Sequence, residues 1–314
     1  MLSIKSFAAT DKGLVRLENE DSFLICVPED KSTLEKKGVL AIVADGVGGV
    51  VGGKQASKMA VEIIEETYYK NLESSDLSFL KESLQIANRE IYKAAQRDQR
   101  YQGMATTCTA LVIRDKEGFI SHIGDSRAYL LRRGKLRQIT EDHTLVGKLL
   151  KEGAISPQEA KTHPRRNVVL KALGNNPGIQ PDSYRFYLEE GDYLVLCSDG
   201  LHGLVADSEI ASILIGAPIE ESGNKLIRIA KERGGTDNIT VLIIYIKDEK
   251  ASLKDTKPFE SIPLLEVSKT KPNRVALLLS VLILFILAGF LFYWFSTNDW
   301  KKTPPDFDRI IRIN

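Results

Sequence analysis

Gly38–Gly53 reads GVLAIVADGVGGVVGG. Val39 to Ala44 is a run of six apolar residues, too short for a typical helix. Val39, Ile42 and Val43 are β-branched and a glycine-rich turn follows, so the run predicts a buried strand. The strand ends on a carboxylate, Asp45, and Gly46, Gly48, Gly49, Gly52 and Gly53 fall within the next eight residues. Glycines at such a turn let the backbone come close to a bound ion or phosphate. An Asp-Gly hairpin turn would explain one such pair. The recurrence of the pattern along the chain argues against it here.

Working outward, Gly118–Asp125 reads GFISHIGD and Asp192–Asp199 reads DYLVLCSD, the latter again followed by a glycine, Gly200. Asp237 opens DNITVLIIYI, and Glu20-Asp21 stands at the head of Ser22–Val27, SFLICV. Strands of one sheet would bring these ends together. Clustered carboxylates at a partly buried edge repel one another and resist desolvation. Either several stay protonated or a multivalent cation neutralises them. Carboxylate oxygens as donors suit hard Mg²⁺ or Mn²⁺ better than zinc, and the number of acids suits a two-metal site.

The 314 residues carry 43 Lys+Arg against 42 Asp+Glu, a balance that gives no electrostatic footprint for nucleic acid. Cys26, Cys108 and Cys197 all lie in apolar runs without CxxC spacing, which reads as free buried thiols suited to a reducing compartment. Met1–Thr10 lacks the basic start and apolar block of a cleavable signal peptide. Val275–Phe295 holds no charge over 21 residues. As a helix it would run about 31 Å, the thickness of a bilayer core. Lys269, Lys271 and Arg274 precede it, and Tyr293, Trp294 and Trp300 lie near its far end as interfacial aromatics. A buried core helix is the alternative, but this one would be apolar on every face. Lys301 and Lys302 weaken the basic-residue bias. The missing leader and the thiols therefore decide the orientation, with the large N-terminal part inside the cell and Ser296–Asn314 outside. The expected organisation is a folded domain over 1–248, a flexible linker over 249–273, a transmembrane helix over 274–295 and a short tail over 296–314.

Within 1–248, Ala56, Met59, Ala60, Ile63, Ile64 and Thr67 recur at helical spacing, and so do Leu80, Leu84, Ala87, Ile91 and Ala94. These two helices should pack together over one side of a sheet. Strands are expected at Thr106–Arg114, Gly118–Ile123, Arg127–Arg132, Phe186–Leu188, Tyr193–Cys197 and Ile239–Ile246. Thr144–Gly174 reads as helical and irregular, and further helices are expected at Ser208–Ile215 and Glu220–Arg233. Helices and strands come in consecutive runs, unlike strict βαβ alternation. This points to an α+β fold with a central antiparallel β-sandwich flanked by helices on both sides, four layers in the order αββα.

Taken together and in order, RLENED (Arg16–Asp21), DGVGG (Asp45–Gly49), GDSR (Gly124–Arg127), TEDHTLV (Thr140–Val146), HPRRNVVLKALG (His163–Gly174), SDG (Ser198–Gly200) and DNIT (Asp237–Thr240) resemble the bacterial form of the metal-dependent serine/threonine phosphatases, the PPM or type 2C family. The similarity runs over Lys5–Tyr245. It implies hydrolysis of phosphoserine and phosphothreonine in proteins by water activated at a dinuclear Mn²⁺ or Mg²⁺ centre. Asp45 would bridge both ions, the Gly46 carbonyl would bind one, and Asp199 and Asp237 would complete the other. Glu20 and Asp21 would hold metal-bound water or bind directly, Asp125 would hold a third ion, and Arg16 would grip the substrate phosphate, as a guanidinium does bidentately. Implied partners are phosphorylated proteins and a cognate Ser/Thr kinase that the enzyme opposes.

The sequence departs from the family at Val47, where many eukaryotic relatives carry a histidine thought to protonate the leaving group. The general acid is thus unassigned. His143 is the histidine to test, whereas His122, His163 and His202 read as structural. Ala105 replaces a common glycine. Thr144–Lys171 corresponds to the family's mobile flap, and its basic residues would suit acidic phosphorylated segments or form a merely solvated surface. Two other functions stay open: a catalytically inactive phosphoprotein-binding adaptor at the membrane, and a metal-dependent hydrolase of small phosphate esters.

Overall fold

The structure, a computed structural model, describes residues 3–47, 52–70, 79–247 and 311–313. Its strands are β1 (Ile4–Asp11), β2 (Ser22–Cys26), β3 (Val39–Ala44), β4 (Gly46–Val47), β5 (Ala105–Thr106), β6 (Cys108–Arg114), β7 (Glu117–Ile123), β8 (Arg127–Arg132), β9 (Lys135–Gln138), β10 (Asp182–Tyr187), β11 (Tyr193–Cys197), β12 (Ile239–Ile246) and β13 (Ile311–Ile313). Its helices are α1 (Lys31–Lys37), α2 (Gly52–Lys70), α3 (Phe79–Arg97), α4 (Leu145–Lys151), α5 (Pro157–Thr162), α6 (Asp199–His202), α7 (Asp207–Gly216) and α8 (Ile219–Glu232).

Every residue of β3 is buried, and the two-residue period of a strand explains why a continuous apolar run is needed there. Val39, Ala41 and Val43 face one apolar layer, while Leu40, Ile42 and Ala44 face another. The first layer lies between two antiparallel sheets, ordered β1-β12-β11-β8-β9 and β13-β10-β7-β6-β3-β2. Leu194, Leu196, Leu242 and Ile244 enter it from the opposite sheet. The second layer packs the outer face of β3, β6 and β7 under α2 and α3. A third, with Val195, Val241 and Ile243, lies under α7 and α8. The four-layer αββα sandwich follows from these three apolar seams.

α2 buries Ala56, Ala60, Ile64 and Tyr68, four residues apart, and its exposed face carries the Lys58–Glu62 pair at 3.7 Å. Together with α3 it covers one side of the sheet, as the periodicity predicts. The stretch Thr106–Arg114 is not one strand. It breaks at Thr107, because Thr106 pairs with Gly46 in a small separate ladder while Cys108–Arg114 joins the large sheet. Within Thr144–Gly174 only α4 and α5 are helical.

Gly48 and Gly49, the linker 249–273 and the expected transmembrane helix Val275–Phe295 lie outside the described residues. Among the described residues no helix is long and apolar enough to cross a membrane. Ile311–Ile313 pairs antiparallel with Ser183–Arg185 of β10.

Candidate active site

Antiparallel pairing gathers the acids. Ser22 stands opposite Ala44, so Glu20 and Asp21, just before β2, share an end with Asp45, just after β3. Cys197 stands opposite Val241, which brings Asp199 after β11 beside Asp237 before β12. Ile123 stands opposite Cys108, which carries Asp125 to the end where Thr107 meets Asp45. One cavity of about 190 Å³ is lined by Arg16, Glu20, Asp45, Gly46, Val47, Asp125, Asn167, Val169, Asp199 and Asp237. Asp21 is buried but is not part of that lining.

The backbone around these acids is held tightly. The Asp45 N–H donates to Thr107 Oγ1 at 3.1 Å, and its carbonyl accepts from Thr107 N at 2.8 Å and Thr106 Oγ1 at 2.9 Å. Gly46 lies against the start of α2, where a Cβ would stand 2.3 Å from the Gly53 carbonyl oxygen, so no side chain fits. The Glu20 N–H donates to Asn238 Oδ1 at 2.8 Å, and Asn238 Nδ2 donates to the Lys12 and Glu18 carbonyls at 3.0 and 2.9 Å. Asn238 thereby closes the loop that presents Arg16. Asp21 Oδ2 accepts from Ser198 Oγ at 2.8 Å and Thr240 Oγ1 at 2.5 Å.

Burial dominates the titration of the cluster. It pushes Asp45 well above the ordinary carboxylate range, with Asp21, Asp199, Asp125 and Asp237 adding repulsion. Burial likewise raises Asp125 to about 8. It raises Asp21 to about 7, against the opposing hydroxyl bonds of Thr240 and Ser198. Asp199 rises to about 6 through burial and then Asp237, with a hydrogen bond from Asp45 working the other way. Glu20 is also raised by burial.

Two buried oxygens, Asp21 Oδ1 and Asp199 Oδ1, have no hydrogen-bond partner. Leaving such a group unpaired costs about 1–3 kcal/mol, more when it is charged. An all-oxygen donor set with orphaned lone pairs fits Mn²⁺ or Mg²⁺. Among the described residues no three acid, His or Cys side chains stand in coordinating geometry around one point. Asp237 Oδ2 is taken by Arg16 Nη2 at 2.7 Å. Ion binding through Asp237 Oδ2 therefore entails turning Arg16 away.

Seven of the eight residues singled out in the sequence line the cavity; Asp21 does not. His143 is not a candidate general acid. Its Nδ1 accepts from the Gly124 N–H at 3.1 Å and its Nε2 bonds Asp182 Oδ2 at 3.0 Å, so neither nitrogen faces the cavity. His122 and His202 are structural as expected: burial holds them neutral, with pKa values pushed down to about 3 and about 4. Of the flap's basic residues, Lys151 pairs with Glu141 at 2.8 Å and Lys148 lies 3.8 Å from Glu152. The flap residues that reach the cavity wall are the uncharged Asn167 and Val169.

Sequence reasoning gave no role to Asn238, Thr107, Asn167 or the Arg127–Asp142 pair, whose shortest contact is 2.6 Å. Asn238 and Arg127 sit inside the DNIT and GDSR stretches, and that adjacency was the available signal. Nothing marked Asn167.

The sequence profile described as Protein phosphatase 2C matches residues 16–240. The serine/threonine phosphatase stp of Listeria innocua is 37% identical over 240 residues, covering 75% of this chain and 93% of that protein. The crystal structure of the Mycobacterium tuberculosis serine/threonine phosphatase PstP/Ppp superposes with a TM-score of 0.70 at 34% identity, covering 78% of this chain and 99% of that one. The PstP catalytic domain in complex with two manganese ions gives a TM-score of 0.69 at 34% identity, covering 79% of this chain and 100% of that one.

Proposed function

Because this chain belongs to the protein phosphatase 2C family, we propose that it hydrolyses phosphoserine and phosphothreonine in proteins at a dinuclear Mn²⁺ or Mg²⁺ centre. The observation that carries the proposal is the convergence of Glu20, Asp45, Asp125, Asp199 and Asp237 on one cavity, with the Arg16 guanidinium at its wall. Asp45, Asp199, Asp237 and the Gly46 carbonyl would hold two ions, and Asp125 a third. Asp21 and Glu20 would orient water near them. Bound there, divalent ions lower the pKa of water and neutralise charge on phosphate oxygens.

The chain's own residues do the rest. Arg16 offers two parallel N–H donors to the phosphate and fixes its orientation for in-line displacement. Burial of Asp45 and Asp199 keeps the field around the reacting phosphorus unscreened by bulk solvent. Val47 carries no ionisable group and cannot protonate the leaving alkoxide.

Phosphorylated proteins are the proposed substrates, and a Ser/Thr kinase in the same signalling system is the proposed counterpart. Val275–Phe295 is the basis for proposing a membrane anchor with the catalytic domain on the cytoplasmic face. Manganese-dependent release of phosphate from a phosphothreonine peptide by residues 1–248 tests the enzymatic core. Asp45→Asn and Asp237→Asn should each abolish most of it. Full turnover in both variants would overturn the mechanism. A folded protein that takes up no Mn²⁺ in calorimetry would instead be a phosphoprotein-binding adaptor, and faster turnover of nucleotides than of phosphopeptides would make it a small-ester hydrolase.

A further inference from the structure

We propose that His143 is a positioning residue that locks the turn carrying Asp125 to the returning limb of the flap: its ring grips the Gly124 peptide and its backbone holds the flap, so that one residue sets both an acid and a wall of the cavity. It rests on the reading of Asp125 as a ligand given above. His143 meets the Gly124 peptide from both sides: its own N–H donates to the Gly124 carbonyl at 2.7 Å, and its Nδ1 accepts from the Gly124 N–H at 3.1 Å. Gly124 sits at φ +109°, where a Cβ would stand 2.5 Å from the Thr107 side chain, so the turn has one backbone solution. On the other side the His143 carbonyl accepts from Leu170 N at 2.7 Å, and Leu145 N donates to Val168 O at 2.9 Å. Thr144 and Val169 form the bridge between these two bonds. Asn167 and Val169, which line the cavity, are therefore carried by the same peptide segment that grips Gly124.

The ring's tautomer is fixed by its partners. A backbone N–H can only donate, so Nδ1 is bare and Nε2 carries the proton, which goes to Asp182 Oδ2 at 3.0 Å. Asp182, at the start of β10, is thus the group that orients the ring. The His122 ring packs 5.0 Å from it, centroid to centroid, and bars rotation. His202 completes the hold on the acid's backbone by facing the Asp125 carbonyl with Nε2 at 2.9 Å. Arg127 and Asp142 brace the same turn from the residues on either side. The two sequence stretches TEDHT and GDSR are in this way halves of one clamp.

Three full-length variants test it: His143→Phe keeps the ring packing and loses the acceptor, His143→Asn keeps an acceptor for the Gly124 N–H, and Asp182→Asn keeps the shape and weakens tautomer control. The readouts are Mn²⁺ stoichiometry and affinity by calorimetry, amide exchange at Gly124 and Leu170, and the ¹⁵N signature of the His143 ring. Expected results are an Nε2–H ring in the parent, Mn²⁺ affinity at the Asp125 site weakened about 10- to 100-fold in His143→Phe, faster exchange at both amides, and substantial recovery in His143→Asn. Unchanged Mn²⁺ binding and exchange in a folded His143→Phe would overturn the proposal, as would equal impairment in His143→Phe and His143→Asn. If His143→Phe does not fold, the parent ring decides: an Nδ1–H tautomer or an unprotected Gly124 amide overturns it. A parent enzyme inert toward phosphopeptides would sink the phosphatase reading while leaving these readouts interpretable.

Discussion

Arg16 Nη2 meets Asp237 Oδ2 at 2.7 Å across 221 positions of sequence, with the guanidinium about half exposed. The pair joins a proposed phosphate-binding group to a proposed ion ligand, so each competes for the other's partner. Phosphate or a divalent cation entering the cavity releases one of them. An exposed pair of this kind contributes little to stability, about 0–1 kcal/mol, which makes the exchange cheap.

Removing the guanidinium should therefore separate substrate binding from ion binding. Arg16→Ala should lower kcat/KM for a phosphothreonine peptide by about 10²-fold, the scale of losing one preorganised donor to a developing anion. Arg16→Lys should fall between, since an ammonium cannot grip two oxygens in parallel. Mn²⁺ affinity should be equal or tighter in Arg16→Ala, because Asp237 is freed. Steady-state kinetics beside calorimetry check both arms, and a parallel loss of Mn²⁺ affinity would contradict this assignment.

The raised carboxylates make a pH prediction with a definite sign. Asp199, Asp21 and Asp125 titrate at about 6, 7 and 8 in the folded chain, against about 3.9 for an unperturbed aspartate. The folded state therefore keeps protons that the unfolded state has already released. Their contribution to stability is full below about pH 4 and is lost as pH rises through the folded values. In EDTA the melting temperature should fall between about pH 5 and pH 8, at about 2–4 °C per kcal/mol lost. Mn²⁺, which binds the deprotonated ligands, should restore it more at the upper end of that range than at the lower. Asp45→Asn should flatten the EDTA profile, and a flat profile in the parent would contradict the electrostatic account.

Asn238 offers a test of the loop it closes. Its side chain makes three hydrogen bonds, to Glu20 N and to the Lys12 and Glu18 carbonyls. At about 1 kcal/mol each, Asn238→Ala should cost about 2–4 kcal/mol in denaturant titrations. Its KM for phosphopeptide should rise as Arg16 loses its platform. Asn238→Asp keeps the acceptor for Glu20 but loses both donors, so it should fall between. A KM equal to the parent's in Asn238→Ala would show that Arg16 is placed independently of this anchor.

What could be read from the chain was whatever sits at strand ends. β3 announces itself because a strand buried on both faces must be apolar at every position, and Asp45 follows it directly. Antiparallel pairing then brings Asp45 to Glu20 and Asp125 in one sheet and Asp199 to Asp237 in the other; the two groups meet through the packing of the two sheets, not within one sheet as the sequence suggested. The supports were not legible, because they act on peptide groups far away in sequence: Asn238 on Lys12 and Glu18, His143 on Gly124, His202 on Asp125. A side chain bonded to backbone leaves no trace in residue type at the other end. β1 was also missed, since IKSFAATD has only half-buried and exposed positions and no clean alternation. For Asp21, the motif showed that it belongs to the cluster; its burial behind Ser198 and Thr240 came only from coordinates.

The last prediction concerns the tail. Ile311–Ile313 adds three residue pairs to the edge of β10, with Ser183 opposite Ile313. Backbone bonds at an exposed sheet edge are worth about 1 kcal/mol each. Val275–Phe295 offers a bilayer 21 uncharged residues, many contributing about 0.3–0.6 kcal/mol apiece on insertion scales. The second sum is the larger. If the segment crosses once, insertion should win and strip β13 from β10, carrying the tail to the opposite face. A Ser183→Cys, Ile313→Cys pair in the full-length chain reads this directly. In vesicles containing the inserted protein the disulfide should not form under mild oxidation, and protease should reach a tag after Asn314 only from the side opposite the catalytic domain. Efficient cross-linking in those vesicles would show that the tail stays on β10 and would rule out a single crossing by Val275–Phe295.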